Sequence, residues 1–280
     1  MKKNLIIAGS VFVGIILICA ILIAIGYHKY MVIETAGIDP RMKVYLGGGG
    51  NSLVLTSKSG DSALVVDTKM GSAAEKMRKQ ISARDIIVVN THAHVDHTGG
   101  NRLYPGAQVI SGAYTKEAWK RFNKNARYPD DTIGAGKEMV IRIDDETVRL
   151  CNMGAAHTSN DVVVYFEKRK LLMTGDLVFI DIHPALFPAM GTVVSKWIHA
   201  LDTLPLMFEI EKLVPGHGPL TKKSALGVMK EYFTSIRDAI GNDARLEECK
   251  KKYKGYHAMP GLSSFENTVK VIAGEMKKQP

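Results

Sequence analysis

Four residues that can bind metal ions lie within six positions of the chain. His92, His94, Asp96 and His97 stand in the stretch THAHVDH, at the end of the apolar run DIIVVNT. Such a cluster is hard to explain structurally, because each buried imidazole or carboxylate needs a polar partner. A metal ion supplies that partner. His92 and His94 can project the same way from extended backbone, whereas Asp96 and His97 follow a turn and can face a second ion.

Three more candidate ligands follow, each surrounded by small residues at or after an apolar strand. His157, Asp176 and His217 stand in MGAAHTSND, MTGDLVF and VPGHGP. Small residues let the backbone come close to a site. Imidazole nitrogen and carboxylate oxygen without a thiolate suit zinc, iron or manganese. Among the other histidines, His183 could either contact a substrate near the metals or cap a loop, and the sequence leaves both readings open.

The order and spacing of these seven residues resemble the metal-binding pattern of the metallo-β-lactamase superfamily, over residues 43 to about 220. The resemblance implies His92, His94 and His157 as ligands of a first metal, Asp96, His97 and His217 as ligands of a second, and Asp176 as a bridge between them. Asp67 resembles the buried aspartate that braces the metal loop in this family. The implied fold is α/β, a four-layer αββα sandwich with two sheets face to face, helices outside and the metals at one edge.

The activity implied is that of a metal-dependent hydrolase with a dinuclear centre, two Zn²⁺ in the first place and iron or manganese as alternatives. Two ions sharing a bridging hydroxide lower the pKa of water and stabilise the charge that develops on the leaving group. An ester, thioester, lactone or amide of a small molecule is the expected substrate. Asp96 is also the candidate catalytic residue, because it could orient the nucleophilic water or accept its proton.

Details of the ligand pattern narrow the branch of the family. Asp176 stands where many antibiotic-hydrolysing members carry a cysteine, so the chain is more similar to the glyoxalase II, lactonase and arylsulfatase branches. His94 stands where flavodiiron enzymes carry a glutamate. This difference argues against a redox function with two irons. A single iron at His92, His157 and Asp176 would instead resemble the persulfide dioxygenases. A non-catalytic, membrane-tethered binding subunit is the third hypothesis, against which the presence of all seven ligands argues.

The N-terminus contains an apolar segment that is long enough to cross a bilayer. Residues 5–26 include no charge over 22 positions, which as a helix spans about 30 Å. The segment exceeds the apolar core of a signal peptide, and no clear cleavage site follows it. Lys2 and Lys3 precede it and favour an N-terminus on the cytoplasmic side of the membrane. We therefore expect residues 1–30 to form a single-pass membrane anchor, with the catalytic domain outside the cytoplasm.

The remaining chain is predicted to form a catalytic domain, residues 31–241, and a C-terminal helical extension, residues 242–280. The formal net charge of +9 is not concentrated in any block of five like charges, so no nucleic-acid partner is expected. The cysteines lack the spacing of a metal knuckle, and a bridge between Cys151 and Cys249 is left open. The pattern indicates no oligomeric state.

Apolar runs of strand length alternate with helical patterns, as in an α/β protein. Strands are predicted at KVYLG, NSLVLTS, ALVVD and DIIVVNT, and at residues 108–111, 139–143, 147–151, 161–166 and 171–174. Helices are predicted at residues 72–82, 115–125, 192–204, 221–240 and 263–276. Ser72 and Glu75 are expected to cap the first helix. Residues 34–41 are interpreted as a polar lead, and the four glycines at 47–50 as a flexible connection between strands.

Overall fold

The computed structural model of the protein describes residues 26, 31–122, 124–125, 127–259 and 261–278. Of the predicted anchor, residues 1–30, only Gly26, the last residue of its apolar segment 5–26, lies within this part of the chain. Among the described residues, no helix has both the length and the apolar character needed to cross a membrane. Membrane attachment therefore stays a prediction.

The first sheet contains seven strands that neighbour one another in chain order. They are β1 (Ile33–Asp39), β2 (Met42–Gly47), β3 (Ser52–Thr56), β4 (Ser62–Val66), β5 (Asp85–Val89), β6 (Gln108–Gly112) and β7 (Asp131–Ile133). Strands β1 to β4 pair antiparallel, whereas β4 to β7 are parallel. The carboxyl ends of β4 and β5 therefore meet at one edge, where functional loops of parallel sheets gather.

The second sheet contains five strands in the order β12-β11-β10-β9-β8. They are β8 (Glu138–Ile143), β9 (Glu146–Asn152), β10 (Val162–Phe166), β11 (Leu171–Phe179) and β12 (Lys212–His217). The β11–β12 pair is parallel and the other pairs are antiparallel. Strands β11 and β12 consequently end on the same side of the molecule.

Seven α-helices lie wholly within the described residues. They are α1 (Gly71–Arg78), α2 (Val95–Thr98), α3 (Lys116–Phe122), α4 (Val194–Met207), α5 (Ser224–Ala239), α6 (Asp243–Lys252) and α7 (Phe265–Met276). The two sheets face each other across a core that includes Leu55, Val66 and Val164. Helix α1 covers the outer face of the first sheet, and α4, α5 and α7 cover that of the second. The predicted four-layer αββα sandwich is confirmed.

Most predicted elements lie within a few residues of their observed bounds, but two interpretations are wrong. Residues 34–41 belong largely to β1, an edge strand that pairs only with β2. Gly37 and Pro40 suggested a loop. Because β1 lies at the edge of the sheet and is only partly buried, its sequence contains no apolar run that would predict a strand. The proposed cap of the first helix also fails, because α1 begins at Gly71 after Met70 and has no side-chain cap.

Two further differences have physical causes. Strand β11 continues to Phe179, five residues beyond its predicted end. It can do so because its pairing with β12 shifts register around Gly175 and still reaches Phe179, which pairs with His217. Helix α6 was not predicted, since it buries none of its residues and so lacks an apolar stripe. Asn242 caps it by accepting a hydrogen bond from the Arg245 amide at 3.1 Å.

The C-terminal segment packs on the second sheet's helical layer. Phe265 and Ile272 of α7 join the core cluster that contains Trp197 and Phe233. This contact explains why these apolar side chains are buried. Cys151 and Cys249 are both free thiols, so the bridge left open by the sequence is not formed.

Candidate metal centre

Both sheets contribute side chains to one cluster at the edge of the sandwich. The loop after β5 and helix α2 supply four of the predicted ligands, the β9–β10 loop supplies His157, β11 supplies Asp176, and β12 ends at His217. The structure brings all seven together in two groups: His92, His94, His157 and Asp176, and Asp96, His97 and His217. The ligand atoms within each group lie within 4.8 Å of one another.

The first group presents three imidazole nitrogens to a common point. His94 Nδ1 lies 3.0 Å from His92 Nε2 and 2.9 Å from His157 Nε2. Two nitrogens on one tetrahedral zinc, each at about 2.0 Å, stand about 3.3 Å apart. Burial lowers the pKa of His94 to about 4 and that of His157 to about 3. Both imidazoles are therefore neutral at pH 7, with lone pairs free for a metal.

The second group combines two imidazoles with a carboxylate. Asp96 Oδ2 lies 3.3 Å from His217 Nε2 and 3.6 Å from His97 Nε2. Burial opposes the charge of His217, but Asp176 and Asp96 outweigh it and raise the pKa of this imidazole to about 9. The carboxylates thus require nearby positive charge. A divalent cation would supply it in place of the protons on His97 and His217.

Asp176 lies between the two groups, and its carboxylate contacts histidines of both. Its Oδ1 lies 3.0 Å from His97 Nε2 and 3.4 Å from His217 Nε2. Its Oδ2 lies 3.3 Å from His157 Nε2 and 3.7 Å from His92 Nε2. One carboxylate oxygen therefore faces each group, which is the arrangement a bridging ligand needs.

Unpaired polar atoms test whether a metal fits this cluster. Within the described part of the chain, His97 Nε2 and Asp176 Oδ1 are buried and lie 3.0 Å apart, but neither is aligned for a hydrogen bond with the other or with another group. Buried polar atoms seldom lack a hydrogen bond, and each such loss costs about 1–3 kcal/mol. The donor set and its unmet bonding capacity fit two divalent cations.

Asp67 holds residues 91–97, which carry four of the candidate ligands, in place. This is the role that its resemblance to the family's buried aspartate implied. Its Oδ2 accepts hydrogen bonds from His97 Nδ1 at 2.7 Å and from the Thr91 hydroxyl at 2.8 Å. Its Oδ1 accepts from the Thr91 amide at 2.8 Å. With the proton fixed on His97 Nδ1, the Nε2 lone pair faces the cluster.

The glycine run at 47–50 connects β2 to β3, as predicted, and has a second role that sequence reasoning missed. A methyl group on Gly50 would lie 2.3 Å from the His97 ring, and one on Gly49 would lie 2.8 Å from Asp96 Cβ. The backbone of this glycine loop, residues 47–50, therefore packs directly on the second group. Four glycines in succession were the only signal of this close approach.

Lys69 anchors the glycine loop from beneath. Its fully buried ammonium donates hydrogen bonds to the carbonyls of Tyr45, Gly47 and Gly50 at 2.9, 2.5 and 2.8 Å. Burial, partly offset by Asp67 and Asp96, lowers its pKa to about 7. No sequence signal identified this residue, because a lysine that follows a strand usually lies on the surface.

The surroundings of the cluster are largely aromatic. The rings of Phe122 and Phe187 lie 5.0 and 5.6 Å from that of His94, and Phe179 stacks on His217 at 5.1 Å. His183 is not part of this wall. Its Nδ1 lies 2.8 Å from the Tyr232 hydroxyl, so it joins its loop to the helical layer, the second of its two readings.

Comparison with known proteins agrees with this geometry. The family profile described as Metallo-beta-lactamase superfamily matches residues 45–217. The α subunit of 2,4-dinitroanisole O-demethylase from Nocardioides sp. (strain JS1661) is 27% identical over 69% of this chain and 60% of its own length. The metallo-beta-lactamase type 2 of Bacillus cereus is 26% identical over 62% and 66%, respectively.

Hydroxyacylglutathione hydrolase of Prochlorococcus marinus (strain NATL1A) is 24% identical over 56% of this chain and 60% of its own length. The alignments thus span about two thirds or less of each of these relatives. Among solved structures, a metallo-beta-lactamase from Pontibacter korlensis superposes with a TM-score of 0.60 at 22% identity, over 70% of this chain and 96% of the other. DIM-1 metallo-beta-lactamase gives 0.60 at 21% identity, over 71% and 95%. These two structures support the fold alone.

Proposed function

Because the chain belongs to the metallo-β-lactamase superfamily, we propose that it is a hydrolase that uses two divalent metal ions, zinc in the first place. Its substrate is a small molecule with an ester, thioester, lactone or amide bond. The observation that carries this proposal is the position of Asp176, whose two oxygens face the two groups at 3.0 and 3.3 Å. A mononuclear site would leave one of these oxygens unused.

Some of the side chains would bind the metal ions, and others orient the ligands or surround the substrate. His92, His94 and His157 would hold one ion, and Asp96, His97 and His217 the other, with Asp176 shared. When bound, such ions lower the pKa of water and polarise the oxygen of the scissile group. Asp67 fixes the His97 ring, and the aromatic side chains around His94 exclude water from one side of the substrate.

Asp96 is the proposed catalytic residue. Burial disfavours its charge, but His97 and His217 outweigh this effect and hold its pKa below the usual range. The carboxylate is therefore ionised at neutral pH. It lies at the edge of the cluster, partly exposed, where it can orient a water molecule and accept its proton.

The relatives' names describe different reactions, so they support the family's chemistry more than one substrate. The glyoxalase-II-like branch, which the Asp176 bridge suggested, has the Prochlorococcus hydrolase in its favour. The iron dioxygenase alternative would use His92, His157 and Asp176 and would leave the second group without a role. We therefore place the dinuclear hydrolase first.

The test is hydrolysis by the full-length protein in detergent micelles. A thioester, a lactone and an ester are assayed before chelation, after chelation, and after zinc is restored. We expect turnover that chelation abolishes and zinc restores. Turnover that depends on oxygen and iron would favour the dioxygenase alternative, and turnover unaffected by chelation would refute the proposal.

A further inference from the structure

A cavity of about 660 Å³ opens beside the second metal-binding group. It is bordered by the glycine loop, β1, the segment after β11 and the end of β12. The side chains that shape it are Val32, Glu34, Leu46, Ile182, His217 and Pro219. Because His217 belongs both to this cavity and to the candidate metal centre, a molecule bound here has one end at the reacting atoms.

Much of the wall of this cavity is apolar, and its one carboxylate is that of Glu34. Val32, Leu46, Ile182 and Pro219 present hydrocarbon, and among the described residues no lysine or arginine lines the space. Glu34 is exposed and forms no ion pair with any described residue. The cavity can therefore bury an apolar group, while Glu34 repels an anionic group that comes near it.

Besides Glu34 and His217, the cavity has one polar side chain, Asn51, and its hydrogen bonds are already made within the protein. Asn51 accepts a hydrogen bond from the Gly47 amide at 3.1 Å and donates to the carbonyls of Pro215 and Gly218 at 3.0 and 2.8 Å. Its amide ties the glycine loop to the loop after β12 and has no donor left for a ligand. The Asn51 side chain therefore offers no hydrogen bond to a substrate carboxylate.

We propose that this cavity receives the acyl group of the substrate, that the group is apolar and carries no negative charge, and that Glu34 determines this specificity. The inference rests on the proposed hydrolase function and names its substrate class. Each methylene buried against this wall should improve binding about three- to fourfold. An anionic end near Glu34 meets like charge without compensation, and this repulsion weakens as salt is added.

A series of esters with acyl chains of equal length isolates the effect of charge. The 4-nitrophenyl esters of hexanoic acid, 6-aminohexanoic acid and adipic acid all have a six-carbon acyl chain, which ends in a methyl group, an ammonium or a carboxylate. We expect kcat/KM of the full-length protein in neutral detergent to be at least tenfold lower for the adipate ester than for the hexanoate ester. Equal values for these two esters would overturn the inference.

Variants at Glu34 assign the selectivity to this residue. E34Q should reduce the difference between hexanoate and adipate, and E34K should reverse it in favour of adipate, with both effects smaller in high salt. The matched control is E248K, which makes the same charge change at an exposed position on α6 that does not line the cavity. If E34K shifts the ratio no more than E248K does, the assignment to Glu34 is wrong.

A binding measurement separates this inference from the proposed reaction. Calorimetry with hexane-1-thiol, 6-aminohexane-1-thiol and 6-mercaptohexanoate reports the same charge series on zinc-loaded protein without any turnover. Weakest binding of the mercaptohexanoate, relieved by E34K, would support the cavity even if no ester were cleaved. Ester cleavage with no charge preference would leave the hydrolase standing and refute the cavity's proposed specificity.

Discussion

Asp96 lies at the edge of the cluster and, like His94 but unlike the other five candidate ligands, is partly exposed. Its Oδ2 lies 3.3 Å from His217 Nε2 and 3.6 Å from His97 Nε2. In the proposed reaction, its other oxygen would orient the water molecule. This geometry separates a role in catalysis from a role in metal binding, and the two can be tested separately.

Replacing Asp96 by asparagine keeps its shape and removes its charge. In D96N protein brought to full metal occupancy, we expect kcat to fall by about 10²-fold or more, because general-base assistance contributes about 10²–10⁴-fold. Elemental analysis of the same sample establishes the occupancy. Unimpaired turnover at full occupancy would show that Asp96 is not the catalytic base.

Gly50 tests the close packing around the second group. In G50A, a methyl group would lie 2.3 Å from His97 Nε2, so the ring or the glycine loop must move. We expect loss of about one metal ion per chain and a fall in kcat/KM of about 10²-fold, the usual cost of displacing a site by about 1 Å. The control is G227A on α5, where no atom lies within 4 Å of the added methyl. Equal metal content in both variants would contradict the expectation.

The metal-binding side chains could be predicted from sequence because their chemistry is unusual even before folding. Three histidines and an aspartate within six positions have few structural explanations, and Asp67 shares their family pattern. Lys69 and Gly50 could not be predicted in the same way. Their roles depend on the distance between the chain after β4 and the β2–β3 connection, which only the folded sheet determines.

At the level of elements, the glycine loop depends on a single buried lysine. Glycine-rich segments lose much conformational entropy on folding, so such a loop needs an anchor to hold one position. Lys69 provides it through three backbone carbonyls. The loop in turn covers His97 and borders the cavity beside it.

K69M should release the loop without leaving a void. We expect the free energy of unfolding to drop by about 2–4 kcal/mol, since two buried carbonyls and one partly buried carbonyl lose their donor, and affinity for the second metal to fall. Denaturant unfolding and metal titration measure the two effects. K76M on the exposed face of α1 is the control. If K69M matched K76M in both measurements, Lys69 would not anchor the loop.

Element prediction succeeded where burial imposes a clear pattern and failed where it does not. The apolar run of β5 and the helical spacing of α5 both reflect a buried face. Edge strand β1 and polar helix α6 have mixed or solvent-exposed surfaces, so their sequences resemble loops. The continuation of β11 past Gly175 depends on a register shift that no residue pattern announces.

At the level of the whole molecule, the candidate metal centre spans the two sheets. The first sheet supplies His92 through its β5 loop, whereas the second supplies Asp176 and His217. The backbone N–H of Asn51 also donates a hydrogen bond to the Gly216 carbonyl at 2.7 Å. This bond joins the two sheets at the edge where the site lies. The site is therefore complete only when both halves of the sandwich have formed.

The predicted anchor would place this domain at a membrane surface. Replacing Ile16 and Ile21 by arginine puts two charges into residues 5–26, each costing about 2.5–3.5 kcal/mol near the bilayer centre. We expect the unaltered chain to sediment with membranes and to resist extraction at alkaline pH, and the double variant to be extracted. Equal extraction of both proteins would contradict a single-pass anchor.

Seven side chains are proposed to hold two metal ions. Elemental analysis of purified full-length protein, with D176N as a comparison, measures this stoichiometry. We expect about two zinc-class ions per unaltered chain and fewer in D176N, because the shared carboxylate would be lost. About one iron per chain without hydrolysis, or no bound metal at all, would contradict the dinuclear hydrolase.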